Sequence, residues 1–477
     1  MRITTALIVC VACWFAVFAG VARGQNERPP NVVLVYVDDM GYGDLSCYGS
    51  KGAQTPNIDR LAKEGVRFTD FYVAQAVCSA SRAALLTGCY NVRVGIFGAL
   101  GPNAKIGLNP NEFTLPRLFK SKGYATAAFG KWHLGSLPQF MPWNQGFDRY
   151  AGLPYSNDMW PRHPETPKAY PPLPLYEQDK VIQTNPDMDT LTGFYTEHAV
   201  KFIDQNKDRP FFLYVPHSMP HVPLGAGPMF KGKSGFGLYG DVMMELDWSV
   251  GQICEALRRN HLEESTLVMF ASDNGPWTTY GDHAGSSGGL REAKATSFEG
   301  GIREPFIARW PGHIPAGSVC HEPAMTIDLL PTFAKLLNVE PPSDRKIDGK
   351  DIWPLISAQP GAKCPHEAYF IYWVDHLEAV RSGKWKLHFP HDYRETPKVR
   401  AHGGIPTKAG KGHIELSLFD LEKDPGETTD VSKEHADVVK HLEQLADEMR
   451  KDLGDSATKQ KGTGRREPGR ATTAPTK

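Results

Sequence analysis

The chain has 477 residues, of which 41% are hydrophobic, enough to bury a large core in more than one structural unit. Its 53 lysine and arginine residues nearly balance 54 aspartate and glutamate residues, which argues against nucleic acid as a partner. Any recognition of an anion must therefore come from a local group of residues. The composition also excludes a chain dominated by membrane spans or by disorder.

The first 24 residues have the three regions of a secretory signal peptide. Arg2 precedes an apolar run from Ala6 to Val21, and small residues follow the run as far as Gly24. This pattern predicts cleavage after residue 24 and a secreted or periplasmic protein with no stable membrane span afterwards. An uncleaved N-terminal anchor is the alternative, because the run approaches spanning length.

The predicted export affects how the cysteines are interpreted. Without the signal, the chain keeps Cys47, Cys78, Cys89, Cys254, Cys320 and Cys364. These are too few to form a disulfide framework in a chain of this length, so a free or modified cysteine is compatible with export.

Four apolar runs predict buried strands, with helical-period segments between them. The strands are predicted at residues 31–37, 124–129, 211–215 and 266–271, and two helices at 191–205 and 239–259. Each strand is followed by a polar or charged cluster, which begins at Asp38, Lys131, His217 or Asp273. Open α/β sheets bind ligands at the carboxyl ends of their strands. The pattern therefore predicts a layered α/β domain in which these clusters share one cleft.

The pattern of predicted elements changes near Pro360. Shorter strand patterns at 369–373, 377–381, 384–389 and 416–421, and a helical pattern at 434–452, predict a smaller α+β subdomain over residues 361–455. The main domain is predicted over residues 25–360. The tail from 456 to 477 is rich in Lys, Arg, Gly, Thr and Pro, and we predict that it is disordered.

Cys78 begins the segment Cys-Ser-Ala-Ser-Arg, which ends at Arg82 and leads into a short helix-forming stretch closed by Gly88. A side chain at a helix start lies beside free backbone N–H groups and the positive end of the helix dipole. Arg82, one turn on, adds a positive charge. A lone cysteine is more often a buried structural residue, but this context predicts an anion-binding site with Cys78 at its centre.

This segment resembles the hallmark of the sulfatase family, Cys-x-Pro/Ala-Ser-Arg followed by a small apolar helix and Thr-Gly. The resemblance runs from about Asn31 to Asp430 and looks most like the branch of arylsulfatase A and N-acetylgalactosamine-6-sulfatase. It implies an α/β, alkaline-phosphatase-like fold: a large mixed β-sheet flanked by helices, with a smaller C-terminal antiparallel-sheet subdomain. Residues 25–360 would then be the catalytic domain of an enzyme that hydrolyses aryl or carbohydrate sulfate esters to alcohol and inorganic sulfate.

In that family the cysteine is oxidised to formylglycine by a maturation enzyme, and the hydrated aldehyde supplies the attacking hydroxyl. The resemblance implies the same for Cys78, with Arg82 stabilising the nucleophile. Position 80 is Ala, where many members have Pro. Both oxygen-dependent and radical-based maturation therefore remain open.

Asp38, Asp39, Asp273 and Asn274 are hard oxygen ligands of the kind that bind Ca²⁺ or Mg²⁺ rather than zinc or copper. Such pairs can simply end strands, but two pairs that each follow a buried strand favour a metal site. By resemblance to the sulfatases they hold one cation, usually Ca²⁺ with Mg²⁺ as the alternative. In that family the cation also contacts the residue made from the cysteine, here Cys78.

Lys131 and His133 lie in a Gly-Lys-Trp-His-Leu-Gly stretch that matches the family. Lys131 suits a negatively charged sulfate ester, and a histidine can exchange a proton near neutral pH. The resemblance places Lys131 and Lys294 on the sulfate group, with Lys294 also near the leaving oxygen. It also implies that His133 accepts the proton of the attacking group.

His221 matches the functional histidine of the family's loop after a strand, and we expect it to bind substrate and assist departure of the alcohol. His217 is more consistent with a structural role. Ser156 looks like the serine that arylsulfatase A-like enzymes contribute near the sulfate. Asn157 and Asp158 could equally shape the substrate pocket.

Two other functions fit parts of the pattern. A phosphomonoester or phosphonate ester hydrolase of the same superfamily would share the fold, but such enzymes use Ser or Thr as nucleophile and further ligands for two zinc ions. A catalytically silent binder of sulfated glycans would need only the anion pocket, and an unmodified Cys78 would produce it.

Overall fold

The computed structural model describes residues 28–471. The predicted signal peptide, residues 1–24, lies outside this range and stays a prediction. Among the described helices, none combines the length and the apolar character that crossing a membrane requires. The six cysteines within the range are free thiols.

The helices in chain order are α1 (Pro56–Glu64), α2 (Cys78–Thr87), α3 (Leu115–Ser121), α4 (Leu191–Gln205), α5 (Gly237–Arg259), α6 (Glu299–Ile302), α7 (Leu329–Leu336), α8 (Trp353–Ile356) and α9 (Ala436–Leu453). The strands are β1 (Asn31–Val37), β2 (Val66–Tyr72), β3 (Ile106–Gly107), β4 (Ala125–Phe129), β5 (Arg149–Gly152), β6 (Pro174–Glu177), β7 (Lys180–Thr184), β8 (Phe211–Pro216), β9 (Thr266–Ser272), β10 (Arg303–Arg309), β11 (Ser318–Cys320), β12 (Ala324–Met325), β13 (Tyr369–Trp373), β14 (His376–Ser382), β15 (Trp385–His388), β16 (His391–Glu395), β17 (Gly410–Ile414), β18 (Ser417–Asp420), β19 (Gly454–Asp455), β20 (Gln460–Lys461) and β21 (Gly469–Arg470).

A mixed sheet of eleven strands forms the centre of the main domain. Its order is β11-β2-β10-β9-β1-β8-β4-β5-β6-β7, and β12 pairs with β2. The middle strands β9, β1, β8, β4 and β5 are parallel, whereas β10, β6 and β7 pair antiparallel with their neighbours. The predicted buried strands are the four central ones, because only strands covered on both faces read as continuous apolar runs.

Helices cover both faces of this sheet, and β1 shows how. Val33 and Val35 point into a core formed with α1, α4 and α5. Leu34 and Tyr36, on the opposite face, pack in a second core with α2, α3 and α7. Because side chains alternate along a strand, one apolar segment supports both layers.

The C-terminal part carries a four-stranded antiparallel sheet in the order β13-β14-β15-β18 and the helix α9. Its core is continuous with Tyr72, Tyr90 and Ile327 of the main domain, so the two parts pack directly on each other. A separate antiparallel pair, β16 and β17, was not predicted from the sequence.

The prediction of a disordered tail from Ser456 is wrong for residues 456–471. There β20 pairs with β19, and β21 pairs with β3 of the main domain. Arg466 also donates two hydrogen bonds to Glu112, at 2.8 and 2.9 Å. Backbone pairing and ion pairs hold this segment in place. The prediction of disorder rested on the low hydropathy of the segment, which does not reflect either kind of contact. Residues 472–477 of the predicted tail lie outside the described range.

Candidate active site

Polar side chains from neighbouring strands meet at one edge of the large sheet. The strands β9, β1, β8 and β4 are adjacent and parallel, so their carboxyl ends lie side by side. Asp38 follows β1, Lys131 lies just after β4, His221 lies in the loop after β8, and Asp273 follows β9. The structure thus brings together the clusters that the sequence placed after successive strands.

Cys78 is the first residue of α2 and is 2% exposed. Its Sγ belongs to a group with one oxygen each of Asp38 and Asp273, all within 4.8 Å of one another. Burial raises the pKa of the Cys78 thiol to about 11, although Lys131 and Lys294 act in the opposite direction. Such a thiol is protonated at neutral pH and is a poor nucleophile. Unmodified Cys78 is therefore unsuited to attack an ester.

Arg82, one turn after Cys78 on α2, is fully buried. Its Nε donates to Asp273 Oδ2 at 3.0 Å, and a terminal nitrogen lies 3.3 Å from Asp38 Oδ2. The other terminal nitrogen donates to the carbonyl oxygen of Lys131 at 3.1 Å. The guanidinium therefore fixes the two carboxylates beside Cys78 relative to each other.

Two lysines lie against the carboxylates. Lys131 Nζ contacts Asp38 and donates to Ser156 Oγ at 3.1 Å. Lys294 Nζ donates to both carboxylate oxygens of Asp39, at 2.6 and 2.8 Å. Burial lowers the pKa of each lysine, but the neighbouring carboxylate outweighs burial and raises it above the ordinary value. Both ammonium groups therefore stay charged, as binding an anion requires.

The two predicted histidines are buried, and each uses one ring nitrogen on a backbone carbonyl. His133 Nε2 lies 3.0 Å from the oxygen of Leu100, and His221 Nδ1 lies 2.6 Å from the oxygen of Val222. In the neutral rings these nitrogens carry the proton, which leaves His133 Nδ1 and His221 Nε2 as acceptors. His221 Nε2 lies 3.6 Å from Asp39 Oδ2. Burial lowers the pKa of both histidines, so the rings favour the neutral form.

The carboxylates fit a divalent cation. Asp38 Oδ1 and Asn274 Oδ1 are buried and have no hydrogen-bond partner among residues 28–471. Asn274 Nδ2 donates to Asp39 Oδ1 at 2.6 Å, and ligand atoms of Asp38, Asp39 and His221 form a second close group. Buried charged oxygens are costly unless a partner compensates them. The oxygen-rich donor set, with Asp273, suits Ca²⁺ or Mg²⁺.

His217 stands apart from these groups. It bonds to Ser249 of α5 at 3.2 Å, and burial lowers its pKa to about 3. These contacts are those of a neutral histidine that joins β8 to a helix.

Two tryptophans beside the site were not singled out from the sequence. Lys294 Nζ lies 4.5 Å from the centre of the Trp277 ring, and the ring of His221 lies 5.3 Å from it. Trp373, from the C-terminal sheet, packs on the small cluster that contains Cys78. The position of Trp277 directly after Asp273-Asn274-Gly-Pro was a usable signal. Nothing local to β13 marks Trp373.

Comparison with known proteins agrees with this geometry. The family model described as Sulfatase matches residues 30–339, and that described as the C-terminal region of aryl-sulfatase matches residues 364–473. Arylsulfatase A of Homo sapiens is 42% identical over 428 residues, 84% of this chain and 83% of that protein. N-acetylgalactosamine-6-sulfatase of Canis lupus familiaris is 38% identical over 468 residues, 91% of this chain and 88% of that protein.

A solved structure shows the same likeness in three dimensions. PsFucS1 sulfatase from Pseudoalteromonas sp. has a TM-score of 0.81 and 29% identity, covering 88% of this chain and 90% of its own. The predicted alkaline-phosphatase-like fold, with its large mixed sheet and smaller antiparallel C-terminal sheet, is confirmed. The chain belongs to the sulfatase family and is a sulfuric ester hydrolase.

Proposed function

We propose that the protein hydrolyses sulfate esters of sugars or aryl alcohols with a formylglycine made from Cys78 and one bound Ca²⁺, with Mg²⁺ as the alternative. The observation that carries this proposal is the placement of Cys78 Sγ among the oxygens of Asp38 and Asp273. The thiol there has a raised pKa and is a poor nucleophile. The same position is well placed for a modified side chain that contacts a cation.

When present, formylglycine supplies a hydroxyl nucleophile and the cation supplies positive charge beside it. The chain's own cations complete the anion site. Lys131 and Lys294 stay charged and neutralise the sulfate oxygens, and Ser156 Oγ adds a hydroxyl next to Lys131. Preorganised charges of this kind stabilise the transition state more than the ground state.

His133 and His221 transfer protons on two sides of position 78. His133 Nδ1 is buried without a hydrogen-bond partner in the described part of the chain, and it accepts a proton from position 78 as sulfate leaves. His221 Nε2 lies 3.6 Å from Asp39 Oδ2, the oxygen to which Lys294 also donates, and the His221 ring lies 5.3 Å from the Trp277 ring. There the protonated ring, which the carboxylates of Asp39 and Asp38 favour against burial, donates its Nε2 proton to the departing alcohol and returns to the neutral form, while the Lys294 ammonium stabilises the leaving oxygen.

A maturation enzyme is the implied partner, and it must act before folding is complete. All ten residues of α2 are buried, Cys78 among them, so a second protein cannot reach the thiol in the folded chain. Early modification agrees with export of an unfolded chain through the signal predicted at residues 1–24. We therefore propose a secreted or periplasmic enzyme that is modified on its way out of the cytoplasm.

Mass spectrometry of the peptide that contains Cys78, from protein made in its native source, tests the nucleophile. We expect the aldehyde or its hydrate, and we expect Cys78→Ala to abolish hydrolysis of an aryl sulfate. Cys254→Ala is the matched control, because Cys254 on α5 is also buried, and this variant should keep activity. A fully unmodified thiol in active protein would overturn the formylglycine proposal.

Parallel assays on an aryl sulfate and the corresponding aryl phosphate test the reaction itself. We expect sulfate to be preferred, because the two close groups of possible ligands share Asp38 and so describe one oxygen-rich cation position rather than two separate ones. A clear preference for phosphate would make the protein a phosphoester hydrolase. Loss of both activities in fully modified protein would leave a glycan-binding function.

A further inference from the structure

A cavity of 780 Å³ lies between the main domain and the C-terminal part, next to the proposed sulfate site. Trp277 and Trp373 are among its lining residues, and we call the part of the wall that they form the inner end because both also contact the site. Trp277 contacts Lys294 and His221, and Trp373 packs against the cluster of Cys78. The cavity therefore begins where the leaving group of a bound sulfate ester would lie.

The size and the inner lining of this cavity suit a sugar. Ligand cavities of a few hundred to about 1,000 Å³ are typical of small-molecule sites. Two indole rings offer flat apolar faces, on which the C–H face of a pyranose can pack, and Trp277 also contacts a cation. The inner end thus has an apolar surface next to the charged sulfate site.

The outer wall is different, because it presents positive charge. Arg394 of β16, Lys411 of β17 and Lys408, which precedes β17, line the cavity, and none of them has an ion-pair partner or a side-chain hydrogen bond within residues 28–471. Some exposed cations of the described chain are paired, as Arg258 is with Glu255 and Lys201 is with Glu197, and others are not, so what distinguishes these three is that they line one cavity.

Arg394 and Lys411 are also direct cross-strand partners in the β16–β17 register. Like charges placed opposite each other on one face of an antiparallel pair destabilise it. The next pair on that face, Asp392 and His413, is complementary, with 2.6 Å between Oδ1 and Nδ1. The β16–β17 pair therefore keeps two like charges opposite each other at a position where two opposite charges would stabilise it.

The acidic residues of the cavity do not cancel this charge. Asp392 is engaged with His413. Glu378 is buried, and burial raises its pKa to about 8, so it is mostly neutral at pH 7. Glu165 is the remaining carboxylate against three cations. The cavity is thus locally positive in a chain whose net charge is −1.

We propose that the preferred substrate carries a second anionic group, a carboxylate or another sulfate, on its leaving sugar, and that Arg394, Lys408 and Lys411 bind that group. This inference rests on the proposed sulfatase function and names its substrate class: a sulfated acidic glycan rather than a neutral monosulfated sugar. An anion between Arg394 and Lys411 replaces their repulsion by two charge-assisted contacts.

Three substrates test the inference: a monosulfated neutral hexose, the same hexose with two sulfates, and a monosulfated hexose linked to a hexuronate. For the wild-type protein with modified Cys78, we expect kcat/KM to be about tenfold higher for one or both dianionic substrates than for the neutral sugar. The two dianionic arms distinguish sulfate from carboxylate as the second group.

In the double variant Arg394→Ala with Lys411→Ala, the ratio of kcat/KM for dianionic to neutral substrate should fall about tenfold, mainly through KM. Lys408→Ala, in the segment before β17, should lower the same ratio independently. Lys180→Ala is the matched control, because Lys180 is an exposed lysine in β7 that does not line the cavity, and it should keep the wild-type ratio.

A wild-type protein that prefers the neutral sugar, or a ratio that neither variant changes, would overturn the inference while leaving the sulfatase proposal intact. Failure to hydrolyse any of the three sugars or an aryl sulfate, with Cys78 fully modified, would overturn the proposed function and this inference with it.

Discussion

Arg82 and Asp273 form a fully buried ion pair at the base of the site, in which two nitrogens of the guanidinium lie 3.0 and 2.8 Å from the same carboxylate oxygen. The pair joins α2, which carries Cys78, to the end of β9. One of those nitrogens also lies 3.3 Å from Asp38 at the end of β1. A single side chain therefore holds the helix that carries Cys78 against two of the proposed metal ligands.

We expect Arg82→Met to lower the free energy of unfolding by about 3–5 kcal/mol, because it leaves buried Asp273 without its ion-pair partner and Asp38 with Lys131 alone. Activity on an aryl sulfate should fall by a factor that corresponds to at least the same free energy, because Asp38 and Asp273 lose their relative position. Urea unfolding and steady-state kinetics measure the two effects.

The control is Arg258→Met, which removes an arginine from an ion pair with Glu255 whose side chains are 62% and 44% exposed. Because solvent and salt screen an exposed ion pair, this variant should stay close to wild type. Equal losses in the two variants would contradict the role assigned to burial.

Cation binding should stabilise the protein through the unpartnered oxygens of Asp38 and Asn274. A ligand that binds only the folded state adds about 2.7 kcal/mol at a concentration of 100 Kd. Treatment with a chelator should therefore lower the unfolding temperature and the activity, and added Ca²⁺ should restore both. Differential scanning calorimetry in a Ca²⁺ series, repeated with Mg²⁺, measures this response.

Asp38→Asn should weaken the Ca²⁺ response strongly, because it removes one buried charge from the donor set. Asp247→Asn provides a comparison, since Asp247 is also buried but accepts hydrogen bonds from the start of α1. That variant should unfold earlier yet keep its Ca²⁺ response. An unfolding temperature that neither metal changes would argue against a resident cation.

The central part of the fold was predictable because its strands are buried on both faces and so read as apolar runs. The two helices predicted at 191–205 and 239–259 and the four central strands lie within a residue or two of their predicted bounds. The predicted site residues follow those strands, so the carboxyl edge of a parallel sheet brings them together.

Features that depend on contacts between distant segments were not predictable. Trp373 reaches Cys78 only because the C-terminal sheet packs on the main domain, and no local pattern encodes that approach. The β16–β17 pair is polar on its exposed face and contains two glycines in β17, so it lacks the apolar alternation of a strand. Trp373, β16 and β17 form much of the wall of the 780 Å³ cavity.

Glu378 should make stability depend on pH. Burial raises its pKa from 4.5 to about 8, with Ser297 acting against burial and Asp455 with it. Between these two values the folded chain keeps a proton that the unfolded chain loses, so this carboxyl lowers the stability of the wild type as pH rises. Glu378→Gln does not titrate, and its unfolding temperature relative to wild type should rise from pH 5 to pH 8.

Thermal unfolding in a buffer series measures this difference. Glu448→Gln, on the exposed face of α9, should show a constant difference across the same range. A constant difference for Glu378→Gln as well would mean that Glu378 is already ionised at pH 7. The cavity would then be less positive than the substrate inference requires.

Arg466 tests whether residues 456–471 contribute to stability. Its guanidinium makes two parallel hydrogen bonds to Glu112, and the backbone N–H of Arg466 donates to the carbonyl oxygen of Arg93 at 2.6 Å. The Glu112 side chain is only 4% exposed, so Arg466→Met would leave a buried carboxylate short of its main partner. We expect a loss of about 2 kcal/mol in the free energy of unfolding, measured in urea. Arg470→Met breaks a pair with Glu467 whose side chains are 68% and 77% exposed, and should cost less than about 1 kcal/mol. A negligible effect of both variants would mean that the segment lies on the main domain without stabilising it.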